Sequence, residues 1–328
     1  MQSDGGGAIM ASLVQVKNLK KYFETPSGLL HAVDNVSFSI EAGETLGVVG
    51  ESGCGKSTLG RVILHLLEST GGNIFFDGED ITKADREKRS ELRREMQIIF
   101  QDPFSSLNPR MRVSQTIAEP LKNLGNYKKE ELPDKVDELM ETVGLAKRFA
   151  NSYPHELDGG RRQRIGIARA LSMTPRFIVC DEPVSALDVS IQAQILNLML
   201  DLQQQRGLTY IFITHDLSVV KYISNHIVVM YLGQLIEKST SRELFEHPLH
   251  PYTKALLSAV PVADIHHKKK RILLTGELTS PINPKPGCRF AARCPYATDH
   301  CKKEEPMLEE IMPGHVVSCH YVREINHK

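Results

Sequence analysis

The 328-residue sequence predicts an α/β fold, built on a mostly parallel, doubly wound sheet that carries a phosphate-binding loop. Three observations predict it. The runs Thr45–Val49, Phe177–Cys180 and Thr209–Ile213 are apolar without alternation, as strands buried on both faces are. Each is followed by a helical pattern, the order expected of a wound sheet. Between the first run and its helix lies Gly50-Glu51-Ser52-Gly53-Cys54-Gly55-Lys56-Ser57, which fits G-x-x-x-x-G-K-[ST].

The other elements follow in chain order. Residues 1–10 (MQSDGGGAIM) read as a loose leader, and Met10 is an equally good start. Val36-Ser37-Phe38-Ser39-Ile40 alternates, and Asn73-Ile74-Phe75-Phe76 closes on the turn Asp77-Gly78; both read as half-buried strands of an antiparallel subdomain. Residues 103–175 are expected to form an inserted helical subdomain. Its clearest helix follows Pro133, with Val136, Leu139, Met140 and Val143 on one face and Gly144 as the stop. Pro281-Ile282-Asn283-Pro284-Lys285-Pro286 marks a linker within a C-terminal extension, residues 261–328, that follows a main domain spanning 11–260. His266-His267-Lys268-Lys269-Lys270-Arg271 reads as a solvated basic surface.

Composition narrows the function classes. Forty basic residues balance forty acidic ones, so no whole-molecule field draws nucleic acid or anionic lipid. No apolar run approaches the roughly 20 residues of a membrane span, so any membrane role has to come through a partner. Six cysteines in a chain without a secretion signal argue against disulfides.

The loop and the acids carry the chemistry. Glycines let backbone N–H groups curl around phosphates, Lys56 supplies a point charge, and the Ser57 hydroxyl reaches Mg²⁺. The helix that the loop opens, bearing Leu59, Val62, Ile63 and Leu66, adds its dipole. Gly50 through Thr58 are therefore the expected nucleoside-triphosphate contacts. Cys54 inside the loop reads as a space filler, with a redox role as the alternative. The second apolar run, continued as Phe177-Ile178-Val179-Cys180-Asp181-Glu182, is a strand ending in two carboxylates. Asp181 at the strand end suits the Mg²⁺ hydration shell, and Glu182 suits polarisation of an attacking water. Cys180 reads as strand core.

With these residues in place, the chain resembles an ATP-binding-cassette (ABC) ATPase over residues 13–260, and the elements of that pattern occur in order. Tyr22 resembles the aromatic that stacks on adenine, with Phe23 as its rival. Gln101 resembles the glutamine that senses Mg²⁺ and links to the transmembrane partner. Leu157-Asp158-Gly159-Gly160-Arg161 stands where the family signature is L-S-G-G-Q. Ser185-Ala186-Leu187-Asp188 resembles the loop that crosses the dimer interface, and His215 the switch histidine at the γ-phosphate. The resemblance implies catalysis by Glu182, His215 and Lys56, and Mg²⁺ held through Ser57, Gln101 and Asp181. It also implies a head-to-tail pair in which each signature completes the other subunit's site. At the signature the sequence departs from the family. The favoured reading is that Asp158 caps the next helix while Arg161 neutralises it or takes over the phosphate contact; a degenerate signature and a tolerated change are the alternatives.

Two later stretches narrow the resemblance. His247-Pro248-Leu249-His250-Pro251-Tyr252 through Leu257, and Gly287-Cys288-Arg289-Phe290-Ala291-Ala292-Arg293-Cys294-Pro295, are similar to the tails of oligopeptide and dipeptide importer ATPases. Cys288, Cys294, Cys301 and Cys319 contain no C-x-x-C pair, so short-spaced zinc patterns do not apply. Four thiolates can hold an iron–sulfur cluster across irregular spacing. The resemblance implies [4Fe–4S]; structural zinc and free or paired thiols are the alternatives.

The expectation is an ATPase driving import of dipeptides or oligopeptides from the cytoplasmic face of a membrane. Its implied partners are a second ATPase subunit, with a paralogue favoured, two transmembrane permease subunits and, indirectly, a solute-binding protein. Nucleic acid is not among them. The alternatives are an importer ATPase for nickel or an oligosaccharide, a non-transport cassette ATPase, and a non-catalytic subunit. The presence of both Glu182 and His215 speaks against the last.

Overall fold

A computed structural model describes residues 12–102, 104–124, 127–260, 271–274, 276 and 280–327. The leader 1–10, and the basic run apart from Arg271, lie outside the described residues.

The chain opens with a long hairpin, β1 (Ser12–Thr25) and β2 (Gly28–Glu41). The strand β3 (Thr45–Val49) leads through the phosphate loop into α1 (Lys56–Ile63), and β4 (Gly71–Phe76) and β5 (Glu79–Asp80) then return to the hairpin. Together they make an antiparallel four-stranded sheet in the order β2-β1-β4-β5. Its inward row includes Val36, Phe38, Ile40, Ile74 and Phe76, which pack with Leu59, Val62 and Ile63 of α1. The alternation legible in the sequence is thus the pleat of a sheet with one buried face.

Next, α2 (Arg86–Glu95) starts from a cap in which Asp85 accepts the Lys88 N–H at 2.8 Å, and β6 (Met96–Ile99) follows. The helical layer comprises α3 (Val113–Leu124), α4 (Leu132–Thr142) and α5 (Gly159–Leu171). Val136, Leu139, Met140 and Val143 are all buried there, and Gly144 turns the chain with φ +66°.

The rest of the chain runs β7 (Phe177–Asp181), α6 (Val189–Arg206), β8 (Thr209–Ile213), α7 (Leu217–Ile223), β9 (His226–Tyr231), β10 (Gln234–Thr240), α8 (Ser241–Glu246) and α9 (Pro251–Ser258). After the linker come α10 (Asp299–Lys303), β11 (Leu308–Met312), β12 (His315–Ser318) and α11 (Val322–Ile325). The main sheet has eight strands in the order β11-β12-β10-β9-β3-β8-β7-β6. It is parallel from β9 through β3, β8 and β7 to β6, and antiparallel from β9 outward to β11. Every residue of β3, β7 and β8 is buried, which is why those three stretches read as unbroken apolar runs.

The C-terminal segment is less separate than its proline-rich linker suggests. Val316 and Val317 of β12 pair with Lys238 and Glu237 of β10, so the segment extends the main sheet. The linker itself lies along β2: the His31 N–H donates to the Pro281 carbonyl at 3.0 Å, and the Asn283 N–H to that of Leu29 at 2.9 Å. Glu237 is fully buried. Its carboxylate accepts the Leu249 and His250 N–H groups at 2.7 and 3.0 Å and contacts His315 Nε2 at 2.8 Å, joining β10, the start of α9 and β12.

Candidate functional site

The phosphate loop leaves the centre of the main sheet. Gly50 and Gly55 take φ of +152° and +102°, and a Cβ on either would meet a backbone carbonyl, of Met230 at 2.2 Å and of Ala32 at 2.0 Å. Only glycine fits there. Lys56 is buried, and its Nζ donates to the carbonyls of Gly50 at 2.8 Å and Glu51 at 3.0 Å, so the amine is held inside the ring of the loop. Cys54 is packed beneath the loop, and burial raises its thiol pKa, which suits filling space better than reactivity.

The two carboxylates end β7, with β8 between that strand and β3. Ser57 Oγ donates to Asp181 Oδ1 at 2.6 Å, and Arg61 stands 3.6 Å from the other oxygen. Burial raises the Asp181 pKa, opposed by the Ser57 hydrogen bond and the Arg61 charge. A hydroxyl and a carboxylate at this spacing are suited donors for Mg²⁺. Glu182 takes φ +47°, a strained backbone for a non-glycine residue, and its N–H is tied to the Ile213 carbonyl at 2.9 Å. Its Oε2 accepts from Gln101 Nε2 at 2.9 Å and lies 3.3 Å from His215 Nδ1. Lys56, Ser57, Asp181, Glu182, Gln101 and His215, drawn from four separate stretches of sequence, therefore form one linked group.

On the antiparallel sheet, Tyr22 faces His31 across the β1–β2 pair, and the rings stack at 4.0 Å. The Tyr22 hydroxyl donates to Asp34, which also receives the Arg289 guanidinium. Phe23 lies under Lys21 Nζ, 4.8 Å from its ring centroid.

The signature opens α5 in a different part of the molecule. Ile165, Ile167 and Ala168 of that helix belong to the core under the helical layer, whereas Leu59, Val62 and Ile63 of α1 belong to the core under the antiparallel sheet. Asp158 is the N-cap: its Oδ1 accepts the Arg161 N–H at 2.8 Å, and its Oδ2 pairs with the Arg161 guanidinium, which sits 4.8 Å from the Phe149 ring centroid. Leu157 is buried. The stretch Ser185-Ala186-Leu187-Asp188 runs beside this helix, with Leu187 against Gly159, and Ile191 of α6 lies against Gly160.

Cys288, Cys294, Cys301 and Cys319 line one small cavity, closed by His250, Phe290 and Tyr321. Burial, aided by the neighbouring thiols, pushes Cys288 up to about 12 and Cys319 up to about 11 and raises Cys294. Among the described residues, no three His, Cys, Asp or Glu side chains stand close enough to hold a single metal ion.

Sequence reasoning missed the residues that tie this segment to the phosphate loop. Arg293 makes a two-pronged pair with Glu51, at 2.8 and 3.1 Å, and the Tyr252 hydroxyl accepts the Glu51 N–H at 3.0 Å. The signal was present as two arginines, four residues apart, between Cys288 and Cys294.

The chain is similar to known proteins along most of its length. The ABC transporter family matches residues 33–185, and the oligopeptide/dipeptide transporter C-terminal region matches residues 236–301. The chain is 52% identical over 319 residues to the oligopeptide transport ATP-binding protein AppF of Bacillus subtilis, covering 94% of this chain and 97% of that one. It is 48% identical over 316 residues to the dipeptide transport ATP-binding protein DppF of Haemophilus influenzae, covering 94% and 97%. Among solved structures, cbiO1 from Clostridium perfringens, part of the transporter complex cbiONQ, superposes with a TM-score of 0.65 at 28% identity, over 72% of this chain and 91% of that one. The ATP-binding cassette MJ0796, a dimer in a post-hydrolysis state bound to ADP and Pi, gives 0.64 at 30% identity, over 70% and 99%.

Proposed function

The chain belongs to the ABC transporter ATPases and carries their oligopeptide/dipeptide C-terminal region, and from that premise we propose that it hydrolyses ATP to power peptide import, as one of two ATPase subunits beneath a membrane permease. The observation that carries the reading is the convergence of Gln101 and His215 on Glu182, beside the Ser57–Asp181 pair. Lys56 and the loop N–H groups hold the phosphates. Ser57 and Asp181 would hold Mg²⁺, which supplies charge neutralisation to the phosphoryl group when bound. Glu182 polarises the attacking water, and His215 orients Glu182 and reaches the γ-phosphate. Tyr22, already flat against His31, supports an adenine platform. The relatives' names favour peptides over nickel or oligosaccharides as the solute.

Among the described residues, no helix is long and apolar enough to cross a membrane. On the peptide-import reading, the protein works from the cytoplasmic face through permease subunits. A paralogous partner presents its own signature to this chain's ATP, and receives Leu157–Arg161 in return.

Glu182→Gln tests the assignment. ATP binding should persist while turnover in the assembled complex falls about 10²–10⁴-fold, as on loss of a positioned general base. Near-normal hydrolysis by that variant would remove Glu182 from the role. Lys56→Ala should instead weaken ATP binding itself.

The four cysteines fit a [4Fe–4S] cluster. Their donors are all sulfur and they line one cavity, which supports that reading. Protein purified without oxygen should be brown, with iron and sulfide in near-equal amounts. Serine at Cys288, Cys294, Cys301 or Cys319 should bleach it, and Cys54→Ser should not. Colourless protein with stoichiometric zinc would replace the cluster by zinc.

A further inference from the structure

The second residue of the phosphate loop is held from outside the nucleotide-binding elements. The Glu51 carboxylate receives both prongs of Arg293, whose side chain is only 11% exposed. The Glu51 N–H is fixed by the Tyr252 hydroxyl, and its carbonyl accepts from Lys56 Nζ. Arg293 lies 5.9 Å from the Tyr231 ring centroid, and Phe290 packs edge-on against both Tyr231 and Tyr252, at 5.3 and 5.5 Å. Four residues earlier, Arg289 reaches Asp34, which holds the Tyr22 hydroxyl. The arginines directly follow Cys288 and directly precede Cys294.

An unpaired carboxylate one residue into a phosphate loop repels the triphosphate that the loop binds. Resting on the nucleotide-site reading above, we propose that Arg293 is a positioning residue for ATP. It neutralises Glu51 and fixes the loop, and so makes nucleotide affinity depend on the folded cysteine segment. Regulation of the ATPase through that segment then acts on ATP affinity before it acts on turnover.

The test is equilibrium titration of a fluorescent ATP analogue into the full chain, with variants matched for thermal unfolding. Arg293→Met should weaken binding about tenfold, within the range of site-to-site couplings. Adding Glu51→Gln should recover most of that loss. In the assembled complex, the ATP KM should rise for Arg293→Met while kcat changes little. A merely structural ion pair predicts no recovery when Glu51→Gln is added to Arg293→Met, so an unrecovered loss overturns the proposal. Unchanged binding in Arg293→Met also overturns it. Should that variant not fold, Arg293→Lys, which keeps the charge and loses the fork, should weaken binding about threefold, and wild-type affinity there overturns the proposal. Lys56→Ala in the same assay keeps the two claims apart: if it abolishes binding while the Arg293 variants bind normally, the nucleotide site stands and only the brace fails.

Discussion

Asp158 and Arg161 are where a single residue decides most. A carboxylate facing a γ-phosphate is unfavourable, yet Asp is as good an N-cap as the serine it replaces. In the structure both facts are accommodated: one Asp158 oxygen caps α5 and the other is neutralised by Arg161. Both side chains are substantially exposed, so the pair contributes little to stability and matters for the charge it presents. Removing Arg161 alone therefore leaves a bare carboxylate at the helix N-terminus, the end that faces the partner's ATP in the proposed pair. Arg161→Gln should impair ATP-driven dimerisation more than Asp158→Ser combined with Arg161→Gln, measured by sedimentation in a hydrolysis-deficient background. Equal dimerisation by both would show that the two positions act independently. The capping half of this reading was legible in the sequence, because a cap needs only a local residue. The stacking of Arg161 on Phe149 was not, because it depends on how the start of α5 meets the helical turn Lys147–Phe149.

At the scale of elements, legibility followed burial. The strands β3, β7 and β8 were readable because both of their faces are covered, and α4 because its stripe and its stop at Gly144 are local signals. The antiparallel outer half of the main sheet was not readable. Strand β12 has four residues, and its partner β10 lies about 80 positions earlier, so nothing local announces the pairing. The joint between them carries a prediction about pH. His250 caps α9 with Nδ1, accepting the Tyr252 N–H at 3.1 Å, and burial lowers its pKa to about 4 despite the nearby Glu237 carboxylate. An unfolded histidine takes its proton near pH 6.5. The unfolded chain thus binds more protons between about pH 6.5 and 4, and stability is lost as pH falls through that window. Urea midpoints should decline between pH 7 and 5, and His250→Asn, which keeps a capping oxygen, should flatten the decline. An unchanged slope in that variant would assign the acid sensitivity to other groups.

Across the whole molecule, the separation of α5 from α1 matters most. The phosphate loop and carboxylates gather on the main sheet, whose Phe177, Val179, Ile211 and Ile213 pack with α1, while Ile178, Cys180, Tyr210 and Phe212 on its other face pack with α5. In the proposed head-to-tail pair, a single chain holds halves of two different sites. Most of this site was legible because the family's residues occur in order. The Arg293 and Arg289 contacts were not, since they join positions more than 240 residues apart. The most direct measurement is ATP hydrolysis by the purified chain alone and by the chain reconstituted with its permease, partner ATPase and peptide-loaded binding protein. The lone chain should be monomeric and hydrolyse ATP poorly, while the reconstituted complex should be stimulated by peptide and silenced by Glu182→Gln. Robust activity of the lone chain, independent of its concentration and indifferent to permease and peptide, would contradict the account.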